Sequence, residues 1–194
     1  MRVVKYPHPI LSYQSKPLRK IDEQIREIAA EMFKLMYENA GVGLAANQVG
    51  LPYQMVVVNQ TGDPERKEEE FVLINPVILK YKGANEDGEE GCLSFPDLRM
   101  IVPRAKEVKL QAIDLEGKVQ TYFWKGFQAR IAQHEIDHLF GTCFYQRANA
   151  SITPNYERLL QNWREQFKKD VEAGTEPTPE QFKEEVAKWE AERT

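Results

Sequence analysis

The chain of 194 residues has few of the features that mark several large classes of protein. It contains two cysteines, Cys92 and Cys143, so a structural disulfide is not expected and each is treated as a thiol. No run of about 18 apolar residues offers a membrane-spanning helix. The formal net charge is only −4, which argues against tight binding to nucleic acid. A small molecule or a peptide is therefore the expected partner.

The first residues, MRVVKYPHPILSYQ, lack the long apolar segment and the small-residue cleavage site of a secretion signal. They also lack the Arg- and Ser-rich, acid-poor character of an organelle leader. We therefore predict a cytoplasmic location and no membrane partner. The length, with 42% hydrophobic and 29% charged residues, fits one domain with a substantial core and room for an appendage.

Hydrophobic spacing predicts an α+β fold. Residues 22–40 carry apolar side chains at helical spacing, with Asp22 as the N-cap and Gly41 as the stop. Pro76 interrupts one strand segment and makes it an edge strand, a bent strand or two short strands. Strands are predicted at 55–60, at 71–79 and, as a hairpin around Glu116 and Gly117, at 107–124. The domain is expected to end near residue 147.

The segment IAQHEIDHLFG, residues 131–141, contains two of the three histidines. On a helix the four-residue step places His134 and His138 on one face, where they can share a metal ion. Glu135 then lies within reach of a water at that metal, an arrangement typical of metal-assisted hydrolysis. The predicted apolar side of the helix consists of Phe127, Ile131, Leu139 and Phe140. The alternative is a buried helix with two hydrogen-bonded core histidines, since so short a pattern also occurs by chance.

A catalytic metal site usually has three protein ligands and an open position for water. A third histidine at the next motif spacing is excluded, because that position is Phe144. Glu157 or Glu165 could serve as a downstream carboxylate ligand. A cysteine thiolate, from Cys92 or Cys143, is the third candidate, and sequence spacing alone does not choose among these.

Three segments resemble, in this order, the signature segments of the peptide deformylase family: GVGLAANQVG at 41–50, EEGCLSFP at 89–96 and QHEIDHLFG at 133–141. The resemblance extends over residues 1–147. It implies mostly antiparallel sheets packed around a central metal-binding helix that carries HExxH, with an N-terminal helix. Residues 148–194 are then predicted to form a C-terminal helical extension to that catalytic domain.

The resemblance also implies the roles of individual residues. The implied ligands of one divalent metal ion are Cys92, His134 and His138, with Fe(II) as the physiological ion and Zn(II) as the alternative. Glu135 is implied to be the acid/base. The oxyanion donors would be the side-chain amide of Gln48 and the backbone N–H of Leu93. Cys143 has no motif role and is expected to be a small buried apolar residue.

The implied reaction is hydrolysis of the N-formyl group from formyl-methionyl nascent peptides, which releases formate. The methionine side chain requires an apolar pocket. Residues implied to bind the substrate are Gly41, Gly43, Leu44, Arg99, Phe127 and Ile131. Two alternatives stay open: a metallo-endopeptidase with Glu157 or Glu165 as the third ligand, and a noncatalytic metal-binding or ribosome-associated module.

Residues 150–194 carry two helical stripes of apolar side chains, one around Trp163 and one around Trp189, among 7 basic and 10 acidic residues. This charge argues against an RNA-binding arm, while a transient association with the ribosome stays open. We predict one or two helices that fold back on the domain or support a dimer. The chain departs from the family pattern at His8 and Gln146, where acidic residues are common.

Overall fold

The structure is a computed structural model that describes residues 1–149 and 153–194. The α-helices in these ranges are α1 (Glu23–Glu38), α2 (Gly126–Leu139), α3 (Pro154–Glu172) and α4 (Pro179–Arg193). The strands are β1 (Gly43–Ala45), β2 (Met55–Val58), β3 (Phe71–Cys92), β4 (Phe95–Ile113) and β5 (Val119–Lys125). Short 3-10 helices cover Pro9–Ser12, Ala46–Val49, Lys67–Glu69 and Phe144–Gln146. None of these helices has the length and apolar character needed to cross a membrane.

The strands form one antiparallel sheet in the order β1-β2-β3-β4-β5. The predicted combination of helices with antiparallel strands is confirmed, although the strands build a single sheet instead of several. The hairpin predicted around Glu116 and Gly117 is the β4–β5 hairpin.

Helix α1 agrees with the helix predicted at residues 22–40, and it packs against β1 and β2. The Asp22 side chain accepts a hydrogen bond from the Ile25 N–H at 3.1 Å, as expected of an N-cap. The end of the helix differs from the prediction. Ala40, with a φ of 53°, takes the left-handed conformation that was assigned to Gly41.

Strand β3 shows which of the three readings of Pro76 is correct. Residues 71–74 pair with β2, whereas residues 77–92 pair with β4 alone among the described strands, so the strand changes its pairing partner at Pro76. It bends at Asn75, where φ is 49°, and its register shifts between Ile74 and Val77. The missing N–H of Pro76 therefore falls in a bulge, where it breaks no regular pairing. The Asn75 side chain fixes the bend through two 2.8 Å hydrogen bonds to the Leu18 backbone.

The β3–β4 hairpin is much longer than the two strand segments predicted from the sequence. Pairing continues beyond residue 79 as far as Cys92, which is opposite Phe95 at the tip. Most β3 residues in this added part are exposed, so no apolar alternation marks them. The consequence for function is that the tip carries Cys92 up to helix α2.

Helix α2 enters the core with His134, Glu135 and His138 all buried. Its predicted apolar side is partly wrong, since Phe127 is 56% exposed and Phe140 is 49% exposed. The buried apolar residues of the helix are Ala129, Ile131, Ala132, Ile136 and Leu139. All of these except Ile136 pack in one cluster with buried residues from the five strands.

Helices α3 and α4 fold back on the rest of the chain, which is one of the two outcomes predicted for them. Leu160 of α3 and Val186 of α4 are buried in a cluster that also contains Phe95. His8 is buried beside the rings of Phe167 and Phe182, at centroid distances of 6.0 and 6.1 Å. The two helices thus contribute to the core of the molecule.

Gly141 allows the chain to pass close to the N-terminal segment after α2. Its φ is 69°, and a Cβ there would lie 2.5 Å from the Ser12 carbonyl oxygen. We expect Gly141→Ala to lower the free energy of unfolding by about 2–4 kcal/mol, since strain and overlap add. Gly117→Ala is the control, because Gly117 has a φ of 78° with open space around it. Urea unfolding that gives equal losses for both variants would contradict the overlap.

Candidate active site

Three potential metal ligands converge between the hairpin tip and helix α2. The ligand atoms of Cys92, His134 and His138 all lie within 4.8 Å of one another. The Cys92 Sγ lies 3.3 Å from the His138 Nε2. One thiolate and two imidazoles are a donor set that suits Zn(II) or Fe(II), and tetrahedral bonds of about 2.0–2.3 Å would place such donors about this far apart. The donor chemistry and the spacing therefore fit a divalent transition-metal ion.

Glu135 lies next to this group in the same cleft. Its Oε2 atom is buried and has no hydrogen-bond partner among the described residues. Burial raises the pKa of Glu135 to about 7. A carboxylate with a pKa near neutrality can both take up and release a proton, which is the behaviour of a general acid/base.

Glu90 holds His134 in place. The His134 Nδ1 is 2.9 Å from the Glu90 Oε2, so the Nε2 atom of that ring is left for the metal position. Arg104 donates two hydrogen bonds of 3.0 Å to the same carboxylate, and Arg130 donates a third of 2.8 Å. Burial opposes the charge of Glu90, but the bonds from His134 and Arg104 outweigh it and lower its pKa to about 2. Glu90 is therefore a fixed anion behind the site.

The two histidines experience opposite electrostatic environments. Burial disfavours the charge on His134, yet Cys92 and Glu90 more than compensate and raise its pKa well above the usual value. Burial and the neighbouring His134 lower the pKa of His138 well below the usual value for histidine. At neutral pH, His138 is therefore an unprotonated imidazole, the form that binds metals.

Gln48 lies beside the Cys92 sulfur. Its Oε1 accepts a hydrogen bond from the Ala45 N–H at 2.8 Å, which fixes which end of the amide carries the NH₂ group. The Nε2 atom lies 3.3 Å from the Cys92 Sγ and 3.3 Å from the Ser94 Oγ. Leu93 follows Cys92 at the hairpin tip, and its carbonyl oxygen accepts a 2.6 Å hydrogen bond from the Lys5 Nζ.

A cleft of about 480 Å³ opens onto these groups. Of the residues predicted to bind the substrate, those that line it are Gly41, Gly43, Arg99, Phe127 and Ile131. Gly43 lies so close to the acid/base candidate that a Cβ would be 2.5 Å from the Glu135 Oε1. At Gly41 a Cβ would be 2.9 Å from the Leu93 side chain. Both glycines therefore keep space open beside the reactive groups.

The remaining residues proposed from the sequence lie outside the cleft and the ligand cluster. Leu44 is fully buried in the core and does not line the cleft, so the prediction that its side chain forms the pocket is not supported. Its side chain points away because residues alternate sides along β1. Glu157 and Glu165 are exposed on α3, outside the cluster of ligands. Cys143 is buried among apolar residues, as expected, and burial raises its pKa to about 12.

Sequence reasoning missed the residues that support His134. Arg104 follows Glu90 by 14 residues and Arg130 follows it by 40, so no local spacing connects them. Arg104 also bonds Asp137 at 2.5 Å, which extends the network along α2. The sequence contains only a weak indication of Glu90. Two acidic residues precede Cys92, and only burial distinguishes Glu90 from the exposed Glu89.

Comparison with known proteins gives consistent similarities. The family model described as polypeptide deformylase matches residues 1–153. The peptide deformylase of Rhodopirellula baltica is 38% identical over 191 residues, covering 98% of this chain and 94% of that protein. That of Desulforudis audaxviator is 43% identical over 147 residues, covering 76% and 92%. A solved structure of Arabidopsis thaliana peptide deformylase 1B with an inhibitor has a TM-score of 0.83 and 36% identity, covering 92% of this chain and 97% of that one.

The thiolate can be tested with the second cysteine as control. We expect Cys92→Ser to weaken Co(II) binding by at least about tenfold and to remove the thiolate-to-metal absorption band, since serine is a poor ligand for such ions. Cys143→Ala should keep the Co(II) affinity and the absorption band, because Cys143 lies in the apolar core. Co(II) titration followed by absorbance, together with metal analysis, measures the affinity and the absorption band. Equal binding by wild type and Cys92→Ser would exclude the cysteine ligand.

The support of His134 by Glu90 can be tested with the neighbouring glutamate as control. Glu90→Gln leaves buried Arg104 without its anion, so we expect stability to fall by about 3–5 kcal/mol. Because His134 also loses its orienting partner, metal affinity should fall about 10–100-fold. Glu89→Gln, at an exposed side chain, should change stability by less than about 0.5 kcal/mol and leave metal affinity unaltered. Urea unfolding and Co(II) titration would refute the role if both variants matched wild type.

Proposed function

Because the chain belongs to the peptide deformylase family, the metal-dependent hydrolases that remove N-formyl groups from nascent peptides, we propose that its cleft performs this reaction with Glu135 as acid/base. The proposed metal ligands are Cys92, His134 and His138. The observation that carries the proposal is the convergence of these three donors, within 4.8 Å, beside the buried and unpartnered carboxylate of Glu135.

We propose Fe(II) as the physiological ion and Zn(II) as a functional alternative. A thiolate with two imidazoles favours both over magnesium or calcium, which prefer oxygen ligands. When bound, such an ion supplies a Lewis acid and lowers the pKa of a bound water toward ~7. His134 is held for this by Glu90, and His138 contributes an unprotonated ring.

Glu135 serves twice in the proposed reaction. It first accepts a proton from the water that adds to the formyl carbon. It then delivers the proton to the amine nitrogen as the carbon–nitrogen bond breaks, leaving formate and a free amino terminus. Its pKa of about 7 supports both steps at neutral pH, because neither protonation state is strongly favoured. The unpartnered Oε2 is free for this proton.

The negative charge that develops on the formyl oxygen needs donors in place beforehand. We assign the Gln48 Nε2 and the backbone N–H of Leu93, which flank Cys92. Gln48 is oriented for donation because its oxygen is already bonded to the Ala45 N–H. Fixed donors of this kind need no reorganisation as the charge forms.

The peptide is proposed to lie along the cleft with its formyl group at the metal position. Gly41 and Gly43 allow its backbone to approach closely, because neither has a Cβ to fill the space. Phe127 and Ile131 offer apolar surface for the methionine side chain. Arg99 is exposed at the rim and can contact the peptide backbone further along.

We further propose that residues 1–147 contain all the groups that act on the substrate, with 148–194 as an accessory extension. That extension has 7 basic and 10 acidic residues from 150 onward, so any ribosome association is not expected to be driven by its charge. The endopeptidase alternative loses its support, since Glu157 and Glu165 are exposed on α3 away from the histidines.

The acid/base role is tested by Glu135→Ala in protein purified without oxygen and loaded with Fe(II). We expect formate release from formyl-Met-Ala-Ser to fall by about 10²–10⁴-fold, with one metal ion still bound. Glu116→Ala, at an exposed carboxylate in the β4–β5 turn, should retain full activity. Unaltered release by Glu135→Ala would contradict the role. Cleavage of internal bonds in unformylated peptides, without formate, would favour the endopeptidase.

A further inference from the structure

The N-terminal segment 4–6 bonds the backbone at both proposed oxyanion donors. Its contacts are Val4 N–H to the Gln48 carbonyl at 2.8 Å, Lys5 Nζ to the Leu93 carbonyl at 2.6 Å and Tyr6 N–H to the Ser94 carbonyl at 2.9 Å. Gln48 and Leu93 belong to different parts of the chain, a 3-10 helix and the hairpin tip. A shift of segment 4–6 would therefore move both donors together.

Helix α3 packs against Tyr6. Its ring lies 5.0 Å from that of Phe95 and 6.3 Å from that of Trp163. Trp163 also lies 6.3 Å from Phe95, so the three rings form one aromatic cluster. Arg164 donates a 2.8 Å hydrogen bond from its Nε to the Tyr6 hydroxyl, and its guanidinium lies over the ring at 5.6 Å. Two adjacent residues of α3 thus fix Tyr6 by packing and by hydrogen bonding.

Helix α4 makes contacts of similar kind in a different place. Trp189 packs edge-on against Tyr53 at 6.2 Å, and the Tyr53 hydroxyl donates to the Trp189 carbonyl at 2.9 Å. Glu190 accepts a 2.6 Å hydrogen bond from Tyr13 and pairs with Lys16 at 2.7 Å. None of these five residues hydrogen-bonds segment 4–6 in the described part of the chain. The extension therefore offers one aromatic anchor, Trp163, on the ring of Tyr6 and another, Trp189, on the ring of Tyr53.

We propose that helix α3 is a positioning element of the active site: Trp163, packed against Tyr6 and Phe95, and Arg164, bonded to Tyr6, clamp the N-terminal segment and so hold the oxyanion donors in place. The inference rests on the donor roles proposed for Gln48 and Leu93. Donors stabilise a transition state only when they are fixed where the charge develops, and misplacement by about 1 Å can cost as much as 10²-fold in rate. Loss of the clamp should therefore lower kcat, while the substrate-binding surface and the metal ligands stay intact.

The decisive pair of variants is Trp163→Ala and Trp189→Ala. Both remove a partly buried tryptophan from the extension, so both should lower Tm by similar amounts. We expect Trp163→Ala to lower kcat about tenfold with KM within about twofold of wild type. Trp189→Ala should keep both constants. Trp163→Phe, which restores an aromatic ring, should recover most of the lost kcat.

Two milder variants guard against loss of folding. Arg164→Gln and Tyr6→Phe each remove the bond between the guanidinium and the hydroxyl without emptying a packed site. We expect each to lower kcat by about two- to fivefold, in the same direction as Trp163→Ala and without a change in Co(II) affinity, since a single bond contributes about 1 kcal/mol or less.

Amide hydrogen exchange measures the clamp without reference to activity. Peptides covering residues 91–96 and 45–49 should exchange faster in Trp163→Ala than in wild type, and should be unchanged in Trp189→Ala. Equal exchange and equal kcat in both tryptophan variants would overturn the positioning role. Faster exchange with normal kcat would overturn it as well, because the donors would then move without consequence. Absence of formate release by wild type itself would instead refute the proposed function.

Discussion

A single buried carboxylate, Glu90, fixes the position of the β3–β4 hairpin relative to helix α2. Its side chain is 4% exposed, so its charge depends on protein partners instead of water. Those partners are Arg104 on β4 and both Arg130 and His134 on α2. Since an unpaired charge in this position is costly, strand and helix are held in one register.

That register brings the proposed metal ligands together. Glu90 and Cys92 are two residues apart on β3, an interval of about 6.6 Å in an extended chain. His134 and His138 are four residues apart on a helix, a rise of about 6 Å. Because the two steps nearly match, pairing Glu90 with His134 places Cys92 beside His138, as the 3.3 Å contact shows. One ion pair therefore positions the thiol for the site.

Local periodicity was sufficient to predict several of the elements but not the outer part of the β3–β4 hairpin or the contacts between elements. It predicted α1, the β4–β5 hairpin and the shared face of His134 and His138, because each depends on residues a few positions apart. It could not choose Cys92 over Cys143, since that choice depends on a hairpin tip reaching α2. The resemblance to a family supplied that choice, and the geometry of the thiol agrees with it.

Two predictions near the site show the limit of local sequence patterns. Gly43 and Leu44 were both predicted to bind the substrate, yet adjacent residues of a strand point to opposite sides, so only Gly43 meets the cleft. Gly41 was predicted as the helix stop, but its requirement is spatial: it leaves room for the Leu93 side chain. A glycine in sequence does not reveal whether conformation or close approach requires it.

Within its described residues, the C-terminal extension has no core of its own. The buried residue of α3 is Leu160, and the buried residues of α4 are Val186 and Arg193. Leu160 and Val186 belong to the cluster around Phe95. Helices without a separate core are stabilised by what they pack against, so the extension depends on the catalytic part and can influence it. Its place in the fold follows from this dependence.

The departure from the family pattern at His8 is explained by the same packing. The His8 ring is buried beside the extension, with its Nε2 3.8 Å from the Glu176 Oε2. Burial lowers the pKa of His8 to about 4, so the ring is neutral at neutral pH, and Arg2 pairs with Glu176 at 2.5 Å. An acidic side chain at position 8 would face the Glu176 carboxylate in a poorly hydrated space, where like charges repel strongly. A neutral imidazole instead allows α3 and α4 to close over the N-terminal segment.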